Sequence, residues 1–374
     1  MPMVLAFAIV AISVIAITFK TYVGYGEYSL VTKMSFLVFL IFGWCSPFIV
    51  FSLRHSHDAN QFLIKFLYFI FGFVFFLFVI SMVRDFIWFL VEVSKKIPLE
   101  NMSNSSLLKK VNVITILISL LICFYGVYEA EKDAAIKTHD IVNSKIKKDT
   151  KIVMLTDLHI DTSVGVEYVK NLVNRVNSLN ADIITIVGDV VDSSPHLIEN
   201  QLNELAKLKA KYGVYVVAGN HEYYSGGVGV YSIKFKQLGF NFYVNEGQKI
   251  GDTGIYIAGI PDVNASSYGS ISVDALKAIK NARQSDYVVM LSHTPKVASN
   301  ITSKNVDLIL SGHTHGGQMF PFHYFVKQAN ENRLAGFYNV DGVNMYISRG
   351  TRYWGPPMRV FAPSEITIFN MKSK

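Results

Sequence analysis

Residues 152–159, Ile152-Val153-Met154-Leu155-Thr156-Asp157-Leu158-His159, decide how the second half of this chain folds. Four apolar, β-prone residues stop abruptly at a polar turn. A short apolar run bounded this way reads as a buried strand. The pattern recurs downstream. Ile183–Val187 runs into Gly188-Asp189-Val190-Val191-Asp192, and Val214–Val217 into Gly219-Asn220-His221-Glu222. Tyr287–Leu291 runs into Ser292-His293, and Val306–Leu310 into Gly312-His313-Thr314-His315. Further strands are expected at Ile255–Ile257, Met345–Ile347 and Ile366–Phe369, with helices at Leu197–Lys209 and Val273–Lys280. Such alternation implies a layered α/β domain with a central sheet.

The C-terminal ends of parallel strands meet at one sheet edge, where ligands bind. Five loops therefore bring Asp157, His159, Asp189, Asp192, Asn220, His221, His293, His313 and His315 to one place. Carboxylate, imidazole and amide oxygen without thiolate suit Mn, Fe or Zn. Cys45 and Cys123, the only cysteines, lie in upstream apolar runs, which excludes a disulfide scaffold and a cysteine zinc site. Two ions a few Å apart need a bridging carboxylate, and such a pair supports phosphoryl chemistry. The glycines at 188, 219 and 312 permit tight turns and close backbone approach. Each motif alone is weak; their joint occurrence, each after a strand, carries the reading.

The first 130 residues are different in kind. The chain of 374 residues is 51% apolar and 17% charged, and its apolar excess concentrates here. Val4–Phe19, Met34–Leu53, Phe66–Val83 and Val111–Val127 are long apolar runs. A bilayer core takes about 20 apolar residues of helix, so four transmembrane helices are expected. The first run has no basic segment before Val4 and no small-residue cleavage site after it, so it reads as a retained helix rather than a signal peptide. Arg84, Lys95, Lys96, Lys109 and Lys110 fall in one connection, and Lys20 and Lys33 flank another. Positive charge marks these as cytoplasmic. Arg54, His55, His57, Asp58 and Lys65 then face outward, as does the α/β domain, on the outer or periplasmic face of a cytoplasmic (inner) membrane. Arg84-Asp85 reads as a helix end before an interfacial segment Phe86–Val93, or alternatively as an intramembrane ion pair. The division expected is a membrane domain over 1–130, a charged juxtamembrane linker helix over 131–149 and the α/β domain over 150–374.

The five-motif series resembles the calcineurin-like metallophosphoesterase superfamily over about residues 150–370. Gly312–Gln318, Arg349–Arg359 and Pro363-Ser364-Glu365 are similar to a bacterial branch of membrane-anchored or exported phosphodiesterases, some of which cleave the pyrophosphate of UDP-diacylglucosamine. The resemblance implies a four-layer α-β-β-α sandwich with two central mixed sheets. It also implies roles. Asp157, His159 and His315 would hold one divalent ion and Asn220, His293 and His313 a second, with Asp189 bridging. Mn is the expected metal, Fe or Zn the alternatives. His221 would protonate the leaving oxygen and Asp192 would orient it, while the metals would lower the pKa of a bridging water and supply hydroxide.

This sequence departs from the Ser/Thr protein phosphatases at Ser193-Ser194, where those enzymes carry Arg-Gly. A phosphomonoester dianion gains most from that arginine, so its loss favours phosphodiester or pyrophosphate bonds. Arg349, Arg352 and Arg359 are candidates for a replacement clamp. Met319-Phe320-Pro321-Phe322-His323-Tyr324-Phe325 reads either as core or as an aromatic lip suited to a phospholipid membrane and a lipid-linked substrate. The leading reading is a phosphodiesterase or pyrophosphatase acting on a lipid-linked or nucleotide-containing phosphate; the alternatives are a phosphomonoesterase, or a membrane receptor or scaffold whose phosphoesterase domain only binds. Specific nucleic-acid binding is not expected: residues 151–374 carry a net charge of only +3 and no basic tract.

Overall fold

The computed structural model describes residues 2–24, 28–53, 60–95, 106–269, 271–301 and 305–374. The chain forms two compact units, a helical one running to Glu129 and an α/β one from Ala130 onward, residues 355–358 apart. The lysine and histidine positions Lys96, His55 and His57, with Arg54 and Asp58, lie outside the described residues.

The helical unit contains α1 (Pro2–Phe19), a π-turn at Lys20–Gly24, α2 (Leu30–Leu53), α3 (Gln61–Lys95) and α4 (Ser106–Glu131). Among the described residues, three helices are long and apolar enough to cross a membrane: Leu30–Leu53, Gln61–Ser94 and Leu107–Glu131. The first apolar helix is shorter than these over its described side chains, Ala8–Gly24, so three candidate spans stand where four were expected. The interruption expected at Arg84-Asp85 is absent: α3 runs through it for 35 residues. The charges are tolerated because they are paired. Arg84 bonds Asp85 at 2.6 Å and donates to Asn112 Oδ1 of α4, while Thr21 donates to Asp85 Oδ2 at 3.0 Å. Asn112 in turn donates to the Tyr22 carbonyl at 3.2 Å. Polar side chains joining helices this way act as glue in an apolar medium.

The α/β unit is built on two six-stranded mixed sheets. The first comprises β1 (Ala135–Asn143), β2 (Thr150–Leu155), β3 (Ile183–Val187), β4 (Val214–Val217), β5 (Asn241–Phe242) and β12 (Glu365–Ser373), in the order β1-β12-β2-β3-β4-β5. The second comprises β6 (Glu246–Ile250), β7 (Ile255–Gly259), β8 (Tyr287–Leu291), β9 (Leu308–Ser311), β10 (Gly336–Val340) and β11 (Val343–Ile347), in the order β10-β11-β9-β8-β7-β6. Strands β2 to β5 are parallel, as are β7, β8, β9 and β11. Their inner faces meet through Ile152, Met154, Val187, Val217, Ile257, Val289 and Leu310. The outer face of the first sheet, through Val153, Leu155, Ile184 and Val216, packs on α5 (Val166–Ser178), α6 (Glu199–Leu205) and α8 (Val228–Gln237). The far face of the second sheet is covered by short helical segments carrying Ala278, Ile279 and Val297. Strands buried on both faces read as unbroken apolar runs, which is why these were visible in sequence.

The linker helix expected over 131–149 is not formed. Ala135–Asn143 is instead an edge strand, paired in parallel with β12 along all nine residues. Ile136, Thr138, Ile141 and Val142 are β-branched, and side chains 139, 141 and 143 are less exposed than 138, 140 and 142. That period of two belongs to a strand. Lys137 and Asp140 on the exposed positions guard the sheet edge.

Candidate metal centre

Five loops after β2, β3, β4, β8 and β9 meet at one edge of the two sheets. Backbone bonds lace them together. Asp157 N–H donates to Gly188 O at 3.0 Å, His159 N–H to Asp189 O at 3.0 Å, and Gly312 N–H to His293 O at 3.0 Å. The approach is too close for side chains at two points. A Cβ on Gly219 would strike Asp189 Oδ1, and one on Gly312 would strike Thr156 Oγ1 and Asp157 Oδ2. Asp157, His159, Asp189, His313 and His315 all hold positive φ, between 45° and 72°. Non-glycine residues rarely adopt this region, and each instance costs about 1–3 kcal/mol. Five together mark a site whose side-chain directions matter more than local backbone comfort.

The donors converge. Asp157, His159 and His315 form one group within 4.8 Å, Asp189, His293 and His313 a second, and His159, Asp189 and His221 a third that joins them. Asp189 Oδ2 lies 3.1 Å from His293 Nε2 and 3.8 Å from His159 Nε2, so one oxygen faces both groups. His315 Nε2 stands 3.4 Å from Asp157 Oδ1 and faces His159 Nε2 at 3.0 Å. The opposite ring nitrogens are engaged: His293 Nδ1 on the Val187 carbonyl at 2.8 Å, His159 Nδ1 on Asp192 Oδ1 at 2.8 Å. Such outer bonds fix the tautomer and leave Nε2 to ligate. His293 Nε2 has Asp189 Oδ2 beside it at 3.1 Å, and Asn220 Oδ1 is buried without a hydrogen-bond partner. Buried polar atoms are rarely left so. The arrangement fits divalent cations.

Protonation follows from burial and neighbours. Burial opposes charge on Asp189, but His293 and His221 outweigh it and hold the carboxyl well below its usual range. Burial likewise opposes a charged His293, but Asp189 and Asp157 hold that ring up at about 10. Burial, reinforced by His293, pushes His313 down to about 4, and burial with His159 keeps His315 well below 6.5.

His221 shares a donor group with His159 and Asp189 and is 15% exposed, with Nδ1 on Asp192 Oδ1 at 2.8 Å and Nε2 4.0 Å from Asp189 Oδ2. Burial disfavours its charged form, but Asp192 and Asp189 raise its pKa to about 9. Asp192 braces two histidines through one oxygen, His159 as well as His221.

One residue was given no role by the sequence reading, and another was given a different one. Glu222 is fully buried, and its carboxylate accepts from Gly219, Asp189, Val190 and Val191 N–H groups at 2.6–3.1 Å. It clamps the β3 loop to the β4 loop. Its place three residues after Gly219, at the start of α7 (Asn220–Tyr224), was the available signal, that of a capping box. Arg359, expected as a substrate clamp, is wholly buried and donates to the carbonyls of His315, Arg349, Arg352 and Ala362. Arg352 donates to the His159 carbonyl and lies over the Tyr353 ring. Both shape loops rather than face substrate. Arg349 is one-third exposed, paired with Glu365 at 2.9 Å, and lines a cavity of about 340 Å³ with Phe320, Tyr324 and Phe361.

The aromatic segment is exposed rather than core: Phe320, Phe322, Tyr324 and Phe325 project to solvent, with Met319 alone buried.

Residues 150–317 match the family model described as calcineurin-like phosphoesterase. The chain is 35% identical over 260 residues to an uncharacterized metallophosphoesterase of Campylobacter jejuni, covering 69% of each. It is 37% identical over 251 residues to one of Helicobacter pylori, covering 67% of each. It is also 31% identical to a bovine transmembrane protein with metallophosphoesterase domain, over 68% of this chain and 61% of that one.

Proposed function

The chain belongs to the calcineurin-like phosphoesterase family, and on that premise we propose that it is a membrane-tethered phosphohydrolase using two divalent ions on phosphodiester or pyrophosphate bonds. The observation that carries this reading is the convergence of imidazole and carboxylate groups around Asp189 Oδ2, with His221 held beside them. Asp157, His159 and His315 would hold one ion, Asn220, His293 and His313 the other, and Asp189 both. The oxygen- and nitrogen-rich set favours Mn, with Fe and Zn as alternatives. When bound, the ions supply Lewis acidity toward the phosphoryl oxygens and an activated water.

The chain's own groups do the rest. Asp192 anchors His221 through Nδ1 and leaves Nε2 to give a proton to the departing oxygen. The pKa of about 9 keeps that proton available at neutral pH. Arg352 and Arg359 are committed to carbonyls, and Ser193 follows Asp192. A doubly charged monoester end would lack a guanidinium partner from them; a diester, with one charge fewer, needs it less.

The helices supply the tether. Three apolar helices and the likeness to a transmembrane protein with metallophosphoesterase domain support membrane association; we infer that α1, 18 residues or about 27 Å long, crosses as a fourth span. The lysines and arginines at 20, 33, 84, 95, 109 and 110 favour an outward-facing catalytic unit at the cytoplasmic membrane. The exposed Phe320–Phe325 segment supports a lipid-linked substrate, since aromatic side chains favour the membrane interface, and tethering raises effective concentration toward such substrates.

The test is hydrolysis of bis-p-nitrophenyl phosphate and p-nitrophenyl phosphate by purified full-length protein with Mn²⁺, Fe²⁺ or Zn²⁺. Diester cleavage that depends on metal and disappears in Asp189→Asn is the expected result. Monoester preference would favour the phosphomonoesterase reading. Absence of both cleavage and metal would leave a binding-only scaffold.

A further inference from the structure

The cavity of about 340 Å³ that Arg349 lines adjoins the His313–His315 loop at Gly316. Its walls include Phe320, Tyr324, Leu334 and Phe361. Arg349, Lys327 and His323 line it too, and no Asp or Glu does. Small-molecule sites have this size and this make-up, mostly apolar with a few converging polar groups. The walls are laced together. Val360 N–H donates to the Gln318 carbonyl at 2.8 Å, and Phe320 N–H to the Val360 carbonyl at 3.3 Å. Phe320 stacks on the His323 ring at 4.8 Å between centroids and meets Phe361 edge-on at 5.8 Å. Phe361 is 74% exposed and holds φ 59°. A bulky residue rarely takes that region, and such strain gathers at ligand clamps. The polar groups have capacity to spare. A guanidinium carries five N–H donors, and Glu365 takes Arg349 Nη1 at 2.9 Å. His323 Nδ1 is buried without a hydrogen-bond partner, and Lys327 is exposed. Arg359 stands between the cavity and the metal donors: it donates to the Arg349 carbonyl at 2.9 Å, and its Nη2 lies 3.3 Å from His315 Nδ1.

We propose that this cavity is a binding site for a small organic anion, separate from the metal centre. The ligand has a phosphate, phosphonate or carboxylate head on an apolar body. Arg349 and Lys327 take the head through charge-assisted bonds, and the body lies against Phe320, Tyr324 and Phe361. The site needs no metal ion, so it stands or falls apart from the phosphohydrolase reading. A soluble anion and the head group of an anionic lipid share this chemistry, and the experiment tells them apart.

The experiment is isothermal titration calorimetry on full-length protein, stripped with EDTA and held in phosphatidylcholine nanodiscs. The probe is phenylphosphonate, which carries no ester bond to hydrolyse, beside phenol and inorganic phosphate as its two halves. Phenylphosphonate should bind about tenfold or more tightly than either half, because one ring is buried and one anion paired together. Lys327→Gln should weaken it roughly threefold to tenfold. Phe361→Ala should weaken it by a similar factor while leaving inorganic phosphate within about twofold. Both side chains are exposed, so thermal unfolding of either variant should stay close to that of the unmutated protein. Nanodiscs of equal phosphatidylcholine and phosphatidylglycerol separate the sources. Weaker phenylphosphonate binding there assigns the site to an anionic lipid head group; unchanged binding assigns it to a soluble anion. The proposal is overturned if phenylphosphonate binds no better than its halves, or binds fully in both variants. Binding that appears only once Mn²⁺ is restored overturns it as well, because the anion then sits on the metal centre.

Discussion

Two clusters of polar side chains among the described residues, one in each unit, are finished differently. In the helical unit, Thr21, Arg84, Asp85 and Asn112 answer one another's hydrogen bonds. In the α/β unit, the cluster around Asp189 crowds Asp157, His159, His293, His313 and His315 together and leaves Asn220 Oδ1 buried without a partner. A closed network holds helices together; an open one awaits something from outside. Clustered charge alone therefore does not mark a site, whereas donors crowded around one point with a buried acceptor left unsatisfied do.

That contrast can be broken by mutation. The largest effect belongs to the open cluster. His221→Gln should lower kcat by about 10²–10⁴-fold, with a larger loss on alkyl than on p-nitrophenyl leaving groups, measured in steady state. Next comes Asp192→Asn, which disturbs both His159 and His221 and should cost roughly 10–100-fold in metal affinity or activity. Metal titration beside kinetics would show both readouts falling, because one oxygen serves a ligand and an acid.

A third effect concerns protons. In the metal-free chain His293 holds a proton up to a pKa of about 10, and a cation must displace it. Metal affinity should therefore rise with pH from neutrality toward about 10, by roughly tenfold per unit while one proton is released. Calorimetry in two buffers of different ionisation enthalpy reads the proton count; a flat affinity over that window would contradict the assignment of His293.

The closed cluster should give the smallest effect. Asn112→Leu is expected to cost about 0.6 kcal/mol, and at most near 2, in thermal unfolding of detergent-solubilised protein. It should leave kcat within about twofold. A large loss of activity would mean that the helical network is coupled to catalysis and that the two clusters are alike.

The site was largely legible before the fold was seen, because its loops follow strands buried on both faces. Ile183–Val187 and Tyr287–Leu291 occupy the very bounds read from sequence. Asp157, His159, Asp189, His221, His293, His313 and His315 are brought together. What failed were the margins. β6, with Glu246, Gln248 and Lys249, and the two-residue β5 offer no apolar run. β1 carries charges in a pattern that a solvated helix also shows. Arg359 read as a candidate substrate clamp because its actual partners are backbone carbonyls, which no side-chain pattern announces. The unbroken course of α3 depended on Thr21 and Asn112, distant in sequence from Arg84.

The position of β12 has a consequence in time. Residues 365–373 lie between β1 and β2 and supply hydrogen-bond partners to both. The first sheet therefore remains in two pieces until the segment around residue 373 has left the ribosome. The helices upstream of residue 131 have their opportunity to enter a bilayer while the α/β unit is still an unclosed chain. A ribosome stalled before residue 365 would hold Ala135–Asn143 without its only strand partner among the described residues.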